Sequence, residues 1–489
     1  MISTRNIFSS ALAALFSLIL FIGFSACTDD IVSTNPKYKI TFSKDTVSFD
    51  TVFTTLGSAT LKLLVYNRNN VALKISHIGI AGGQKSPFRI NVDGSLSADN
   101  QFSDIEIRAK DSLYIFVAVT VDPTNSNSPA FIEDSLEFQT NGINQNVKLQ
   151  AFGQDMILLK NKYVLNDTTL TGKKPYLIYG YLAIDTAKTL TLEPGTKLYF
   201  HNNANLIVYG NLKAEGTAEK PIIMRGDRLD KIKFETPVPY NYIAGQWGGI
   251  YLLWKGGKHE LKHVNMNSGY VGLYFSNSDR NHLPDLTISD CRIHNFLLYG
   301  LVVQNGNVTV TNTEISNTSS YSVYLNGGKH TFIQSTIANY FNNVIQPVSR
   351  DNKPTLMIME LNRVAPMQSL FKNCIISGSA ENEFSLASKF MTQYKGIFDH
   401  CYIRTSAKLT LPQFTDIRWY AAKDTLFKNN YLDYEKGKDY NFTPDSVSPA
   451  RGLADPAVIS EYHLEYDLNG NLRDDKPDAG AYEWMPTKK

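Results

Sequence analysis

Ile288-Ser289-Asp290-Cys291-Arg292-Ile293 and, further on, Val310-Thr311-Asn312-Thr313-Glu314-Ile315 share one pattern, apolar-x-x-small-x-apolar. The pattern returns at Leu261/Val264/Met266, Phe332/Ser335/Ile337, Phe371/Cys374/Ile376, Phe398/Cys401/Ile403 and, more weakly, Phe427/Asn430/Leu432. Its first apolar residue therefore falls at positions 261, 288, 310, 332, 371, 398 and 427. Recurrence on this scale marks a solenoid, because one unit cannot bury its own apolar face and must stack on a neighbour. The units are strand-like: Val, Ile, Thr, Phe and Tyr dominate, and Asn and Gly punctuate them. A second strand signal keeps the same register. Gly300-Leu301-Val302-Val303 and Ser322-Val323-Tyr324-Leu325 are offset by the interval that separates Ile288 from Val310. The reading is an all-β chain built on a parallel β-helix, with coils about 4.8 Å apart. The small residue of each unit then points inward as a ladder, and the Asn, Asp and Ser beside it suit tight turns. The alternative is an ordinary β-sandwich with coincidental spacing.

The N-terminus reads as a processing signal. Arg5 precedes an apolar run from Ile7 to Ala26 that ends Phe24-Ser25-Ala26-Cys27. This resembles a bacterial lipoprotein signal, which implies removal of residues 1–26 and lipid attachment at Cys27. Several acyl chains on one residue anchor stably where one would not. A plain membrane-spanning anchor is the alternative, since the run is long enough to cross. Residues 27–37 then form a lipidated tether. Thr28-Asp29-Asp30 resembles the acidic tags of surface lipoproteins in some Gram-negative bacteria, which implies a lipid-anchored, surface-exposed location on the outer membrane.

At 489 residues the chain has room for two domains. Its net charge of +2, from 48 basic and 46 acidic residues, sets no global electrostatic target. No basic stripe or zinc-finger spacing is present, so nucleic acid is not an expected partner. Cys291, Cys374 and Cys401 share one repeat position and read as buried small hydrophobes. A Cys374–Cys401 disulfide is compatible with adjacent coils in distance, but parallel side-chain vectors make its torsion awkward. No cysteine spacing suggests a metal site.

Residues 38–155 change character. Alternating strands at Lys39–Phe42, Thr60–Tyr66, Leu73–Ile75, Ser112–Val119 and Asn146–Gln150 suit an Ig-like β-sandwich. The stretch from Phe49-Asp50-Thr51-Val52-Phe53 to Val65-Tyr66-Asn67 resembles Hydin-like (ASH-type) domains. A spacer between membrane and solenoid is the expected role. Residues 156–485 are read as the β-helix with a C-terminal cap. Within it, Glu193-Pro194-Gly195-Thr196, the run Tyr209–Thr217, Pro221-Ile222-Ile223-Met224 and Gln246-Trp247-Gly248-Gly249-Ile250 resemble the opening coils of bacterial right-handed parallel β-helix proteins. Asn373-Cys374-Ile375-Ile376-Ser377-Gly378, Ser448-Pro449-Ala450-Arg451-Gly452, Asp467-Leu468-Asn469-Gly470-Asn471 and Pro477–Glu483 resemble the choice-of-anchor Q group of β-helix lipoproteins. Arg451 stands where that group more often has an acidic residue. The resemblance implies a fold and a cell-surface setting, and no particular chemistry.

Parallel β-helices also host polysaccharide lyases and glycoside hydrolases. The hydrolases place clustered carboxylates as acid and base. Their Asn-Thr-Asp, Asp-Asp, Gly-His-Gly and Arg-Ile-Lys series is absent as a set. Asp474-Asp475 lies far from any matching motif, and Arg292-Ile293-His294 reads as a strand segment of the repeat. No catalytic residue and no cofactor is therefore assigned. Asp467-x-Asn469-x-Asn471 starts like a calcium loop but lacks the downstream bidentate Glu, so it reads as a turn or cap and Ca²⁺ is left unsupported. The ligand-binding candidates are aromatics off the repeat: Tyr240, Tyr242 and Trp247 in or beside an excursion at 227–246, Trp254 nearby, and Trp419 and Tyr420 in another at 405–423. Aromatic faces present large area at low entropic cost, which suits sugar rings. Local packing on the solenoid flank is the competing use. The expected function is a non-catalytic surface module for glycan or another envelope ligand. A lyase or hydrolase with an atypical site, or a purely structural envelope protein, are the alternatives.

Overall fold

The computed structural model describes residues 31–232, 237–253, 257–277, 283–341, 350, 352–360, 367–388, 395–406, 413–433, 436 and 438–486. Cys27 and Trp254 lie outside these residues. The chain divides into two compact units, one ending at Gln154 and the other starting at Asp155.

The first unit is a two-sheet sandwich. Leu61–Tyr66, Ser112–Val119 and Phe88–Val92 lie in one sheet; Leu73–Ile80, Ala130–Thr140 and Ile143–Gln154 lie in the other. The pairs are antiparallel except Thr46–Phe53 along Ile143–Gln154, which is parallel. Alternation sends Leu63, Val65, Ile115 and Val117 from one sheet and Ile75, Leu136, Val147 and Leu149 from the other into one core.

The second unit is the solenoid expected from the repeat. The coils between Thr189 and Ser388 supply three strands apiece, for example Asp285–Ser289, Arg292–Phe296 and Tyr299–Gln304, followed in the next coil by Asn307–Thr311, Glu314–Thr318 and Val323–Asn326. Each strand pairs in parallel with its counterpart one coil on, which makes three faces. The repeat's first apolar residue rises up the interior of the first face as Leu261, Ile288, Val310, Phe332, Phe371 and Phe398; Phe414 continues the column, whereas the weaker copy at Phe427 lies in an antiparallel strand pair on the flank. The column's last four rings stack at centroid distances of 4.8, 4.8 and 4.9 Å, the coil spacing itself. The second apolar residue rises up the second face as Met266, Ile293, Ile315, Ile337, Ile376 and Ile403.

The small residue closes the corner between these two faces. The hydroxyl of Thr313 donates to Thr311 O (2.8 Å) and that of Ser335 to Ile333 O (2.8 Å), while Cys291, Cys374 and Cys401 direct their thiols the same way. Four of them also accept an amide from the coil before: Val264 N to Cys291 Sγ, Cys291 N to Thr313 Oγ1, Thr313 N to Ser335 Oγ and Cys374 N to Cys401 Sγ. The residue before it is left-handed in the six copies on the solenoid, at His263, Asp290, Asn312, Gln334, Asn373 and His400, with φ between 46° and 55°. Short polar side chains tolerate that conformation best, which is why Asn and Asp recur there. The three cysteines are buried and free, so no Cys374–Cys401 disulfide forms.

The C-terminal residues lie along the solenoid's flank. The left-handed corner residues hold them there. Gln334 Nε2 donates to Asp478 O and Gly480 O, Asn373 exchanges two hydrogen bonds with Asp455, and Arg473 donates to Asn312 Oδ1. Beneath, Ala338 and Ile375 of the second face are fully buried under Phe427, Phe442, Ala479 and Ala481. Gly480 sits at φ 95°, and a Cβ there would come within 2.6 Å of Thr336 Oγ1, so only glycine allows this approach. The physical reason for the flank position is apolar area: the outward side of these coils carries Ala338, Ile375 and Tyr402, which water would otherwise meet.

Candidate functional site

Where the C-terminal segment leaves the second face uncovered, two clefts open on either side of its hairpin, Phe427–Asn429 with Asn441–Pro444. Phe427 lines one cleft and Phe442 the other, and the two rings pack at 5.0 Å between them.

The first cleft has a volume of about 320 Å³. Its floor is a run of outward positions on consecutive coils: Arg292 and His294 on one, Glu314 on the next. Asn241, Tyr242, Asp439 to Thr443, Asn469 and Tyr482 complete its lining. Tyr482 joins the floor charges, since its hydroxyl donates to Glu314 Oε2 and accepts from Arg292 Nε at 3.2 Å. Ser316 donates to the other Glu314 oxygen at 2.5 Å. Arg292 also donates to Asn469 Oδ1 at 2.7 Å and to Leu468 O at 3.2 Å. The Tyr242 hydroxyl donates to Asp439.

Burial and these partners shift the phenols and the imidazole of the cleft. Burial, then the charge on Glu314, pushes the Tyr482 phenol far above its ordinary range. Burial, then the bond to Asp439, does the same to Tyr242. Both phenols stay neutral donors. Burial lowers His294 against the opposing pull of Glu314 and Asp439, and its Nε2 faces Asn265 Oδ1 at 3.2 Å. Glu314 and Asp439 thus meet hydroxyl donors that already occupy them. The cleft offers a ligand hydroxyls, amides and ring faces.

The second cleft, about 330 Å³, is lined by Tyr340, Ser377, Tyr402, Arg404, Tyr420 and residues 424–431. The Arg404 guanidinium lies 4.1 Å from the Tyr420 ring centroid, a cation–π contact. Asp424 accepts from Arg418 (3.1 Å), Tyr402 (3.3 Å) and the Ala421 amide (2.8 Å).

Of the aromatics singled out in the sequence, Tyr242 lines the first cleft and Tyr420 the second. Tyr240 stands outside both, with the Arg228 guanidinium 4.1 Å above its ring. Trp247 is a correction. It is fully buried, stacks on Phe200 at 4.3 Å and donates Nε1 to Asn267 O at 2.8 Å. Two glycines after it let the strand enter at that point: a Cβ on Gly248 would lie 1.8 Å from Asn205 Oδ1, and Gly249 has φ 146°. Trp419 is also drawn inward. It pairs in register with Ile403 and packs on Phe414 at 5.5 Å, so it covers the core at the last coil. Asp467 accepts the amides of Asn469, Asn471 and Glu483 and the side chain of Asn471, which makes it the centre of a turn. Among the described residues, Asp399, His400 and Asp416 form the one cluster with metal-ligand proximity, and it lies at an exposed corner.

Sequence reasoning missed Arg292, Glu314, Asp439 and Tyr482 as a group. Arg292 and Glu314 hold equivalent outward positions in successive repeats, which was the available signal. Asp439 and Tyr482 arrive from the C-terminal flank, and nothing local marks them.

Comparison with known proteins agrees on the fold. Residues 248–364 match the family model described as a right-handed β-helix region. The second unit is a right-handed parallel β-helix. A stretch of 101 residues, 20% of the chain, is 33% identical to Protein bark beetle of Drosophila melanogaster and spans 3% of that protein's length. A structure described as a family 123 glycoside hydrolase from Clostridium perfringens aligns over 24% of this chain and 26% of its own, at 8% identity and a TM-score of 0.17. A likeness that slight carries no argument about activity.

Proposed function

We propose that this chain is a lipid-anchored surface protein of the outer membrane, tethered through Cys27, whose β-helix binds a glycan in the second-face clefts without cleaving it. The observation that carries the reading is the state of the first cleft's charges. Glycoside hydrolysis needs one carboxyl to give a proton and another to attack or activate water. Here Glu314 is engaged by Tyr482 and Ser316, and Asp439 by Tyr242. Such a site binds polyhydroxyl ligands through fixed donors and ring faces. The Ig-like assignment of the first unit, as a spacer, belongs to the same proposal.

The test uses the full chain in detergent, against neutral and acidic polysaccharides, with and without Ca²⁺. Retention and new reducing ends are measured together. Retention without new ends is expected. Release of reducing ends would overturn the non-catalytic reading. Neither retention nor new ends on any polysaccharide would overturn glycan binding and favour a structural envelope role.

A further inference from the structure

The third face carries a strip of tyrosines that neither cleft uses. Four successive strands, Gly249–Leu253, Val271–Ser276, Tyr299–Gln304 and Val323–Asn326, contain no charged residue. Parallel register puts Tyr251, Tyr274, Val302 and Tyr324 in one outward column on consecutive coils. Val302 is 3% exposed, whereas the three tyrosines on the coils around it are half-buried. The column therefore dips at Val302 between Tyr274 and Tyr324.

A second pair flanks the dip. Tyr299 and Tyr321 stack at 6.2 Å with ring planes 5° apart, and Tyr321 meets Tyr324 at 5.8 Å. Tyr251 and Tyr274 pack at 5.8 Å. Burial is the main cause that raises the Tyr324 phenol, with Tyr321, Tyr299 and Tyr274 adding to it, so these hydroxyls gather near one another. Ser276 and Gln304 extend the uncharged surface along the adjoining outward column. A charge approaches at the margin, where Lys353 Nζ stands 5.9 Å from the Tyr321 ring centroid.

We propose that this strip is a second binding surface, for a neutral polysaccharide chain lying along the solenoid axis. Three features select that occupant. The strands of the strip supply no charge to an acidic or basic ligand, and an uncharged chain matches them. Ring faces serve the C–H surfaces of sugars while phenol, amide and Ser hydroxyl groups serve their rims. The positions of the column step by one coil, about 4.8 Å, and three of the four carry a ring, so a ligand with its own linear repeat can follow them along the axis across the dip at Val302.

The experiment is native-gel retardation of the full chain in detergent, in gels cast with xylan, hydroxyethylcellulose or pullulan, and with polygalacturonate as the acidic comparison. The background carries Tyr242→Ala and Tyr420→Ala, so that the second-face clefts are already weakened. Retardation by at least one neutral gel is expected. Adding Tyr274→Ala and Tyr324→Ala is expected to weaken it about tenfold or more, while Tyr274→Phe with Tyr324→Phe keeps most of it because the rings remain. The thermal midpoint of each variant reports whether the coils stay intact. No retardation in any neutral gel overturns the proposal, as does retardation that the alanine pair leaves unchanged. If the background variants alone abolish retardation, the clefts are the sole site and the strip is not one, an outcome that leaves the second-face reading standing.

Discussion

The Cys374 amide donates to Cys401 Sγ across adjacent coils at 3.4 Å, and both thiols remain free. Each sulfur occupies the place that Thr313 and Ser335 fill elsewhere on the same ladder. Burial raises the Cys374 thiol well above its ordinary range, with Cys401 beside it adding to the rise. Thiolate is the reactive form, so these groups should be inert in the folded chain. The expected outcome is no labelling of Cys291, Cys374 or Cys401 by an aromatic disulfide reagent until denaturant unfolds the solenoid. Replacement of Cys374 by Ser should cost less than about 1 kcal/mol, since a hydroxyl can still donate to Lys372 O as Thr313 and Ser335 donate at their own corners. Rapid labelling under native conditions would contradict the ladder.

A second prediction concerns Arg350 and Glu383, an ion pair buried to 8% and 0% side-chain exposure. Glu383 accepts from both terminal nitrogens of Arg350, from the Thr355 amide and hydroxyl, and from the Ala380 amide. Arg350 also donates to Asn339 O and Ser379 Oγ. Removing one partner strands the other's charge in the interior, which costs about 3–5 kcal/mol. Glu383→Ala should therefore lower the denaturant midpoint far more than the removal of an exposed pair such as Lys213–Glu215. Equal, small effects of the two changes would show that the buried pair contributes little.

Much of this was legible because the solenoid writes its geometry into spacing. The interval between Ile288 and Val310 reappears as direct register, as does that between Leu301 and Val323. Corner ladders were legible from Cys, Thr and Ser at one position. The clefts were not, because their walls come from the flank: Asp439 faces Tyr242 across 197 residues, and Tyr482 meets Glu314 across 168. No periodicity records such a pairing. Trp247 misled because an aromatic beside a Pro-containing excursion looks exposed, whereas Gly248 and Gly249 let its strand turn the ring inward.

Two histidines give the solenoid an acid limit. His259 and His330 stand at inward first-face positions that Leu212, Leu286 and Val308 fill on other coils. Burial lowers each to about 4 from an ordinary 6.5. A folded value below the unfolded one means that stability is present above pH 6.5 and is lost as pH falls towards 4. The loss is on the order of 2–3 kcal/mol per histidine. Unfolding midpoints followed from pH 7 to 4 should fall steeply in the native chain and less steeply in His259→Leu/His330→Leu. Parallel curves would remove the histidines from the account.

Glu483 works in the opposite direction, on the flank. It accepts from Arg473 at 3.2 Å and from the Asp478 amide at 3.1 Å, and burial followed by the charge on Asp478 pushes it up to about 7. A folded value above the ordinary 4.5 adds stability that is complete below pH 4.5 and lost as pH rises through 7. Hydrogen exchange at Ala481, whose amide is held by Thr336 Oγ1, reads the flank directly. Its protection, corrected for intrinsic rate, should be greater at pH 6 than at pH 8, and Glu483→Gln should flatten that difference.

The first cleft supplies the last prediction. If Glu314 and Asp439 are held for binding, Glu314→Gln and Asp439→Asn keep an acceptor oxygen for Tyr482 and Tyr242. Each should change glycan retention by no more than about tenfold, roughly the value of one charge-assisted hydrogen bond. Arg292→Ala is a larger change. It removes the bonds to Tyr482, Leu468 and Asn469 together, and with them the group that balances Glu314. It should weaken retention more than either amide variant and also lower the thermal midpoint. An acid–base enzyme would behave otherwise: the amide variants would leave retention intact and abolish release of reducing ends from a wild type that shows it. Measuring both quantities on the three variants therefore separates a cleft that holds a glycan from one that cuts it.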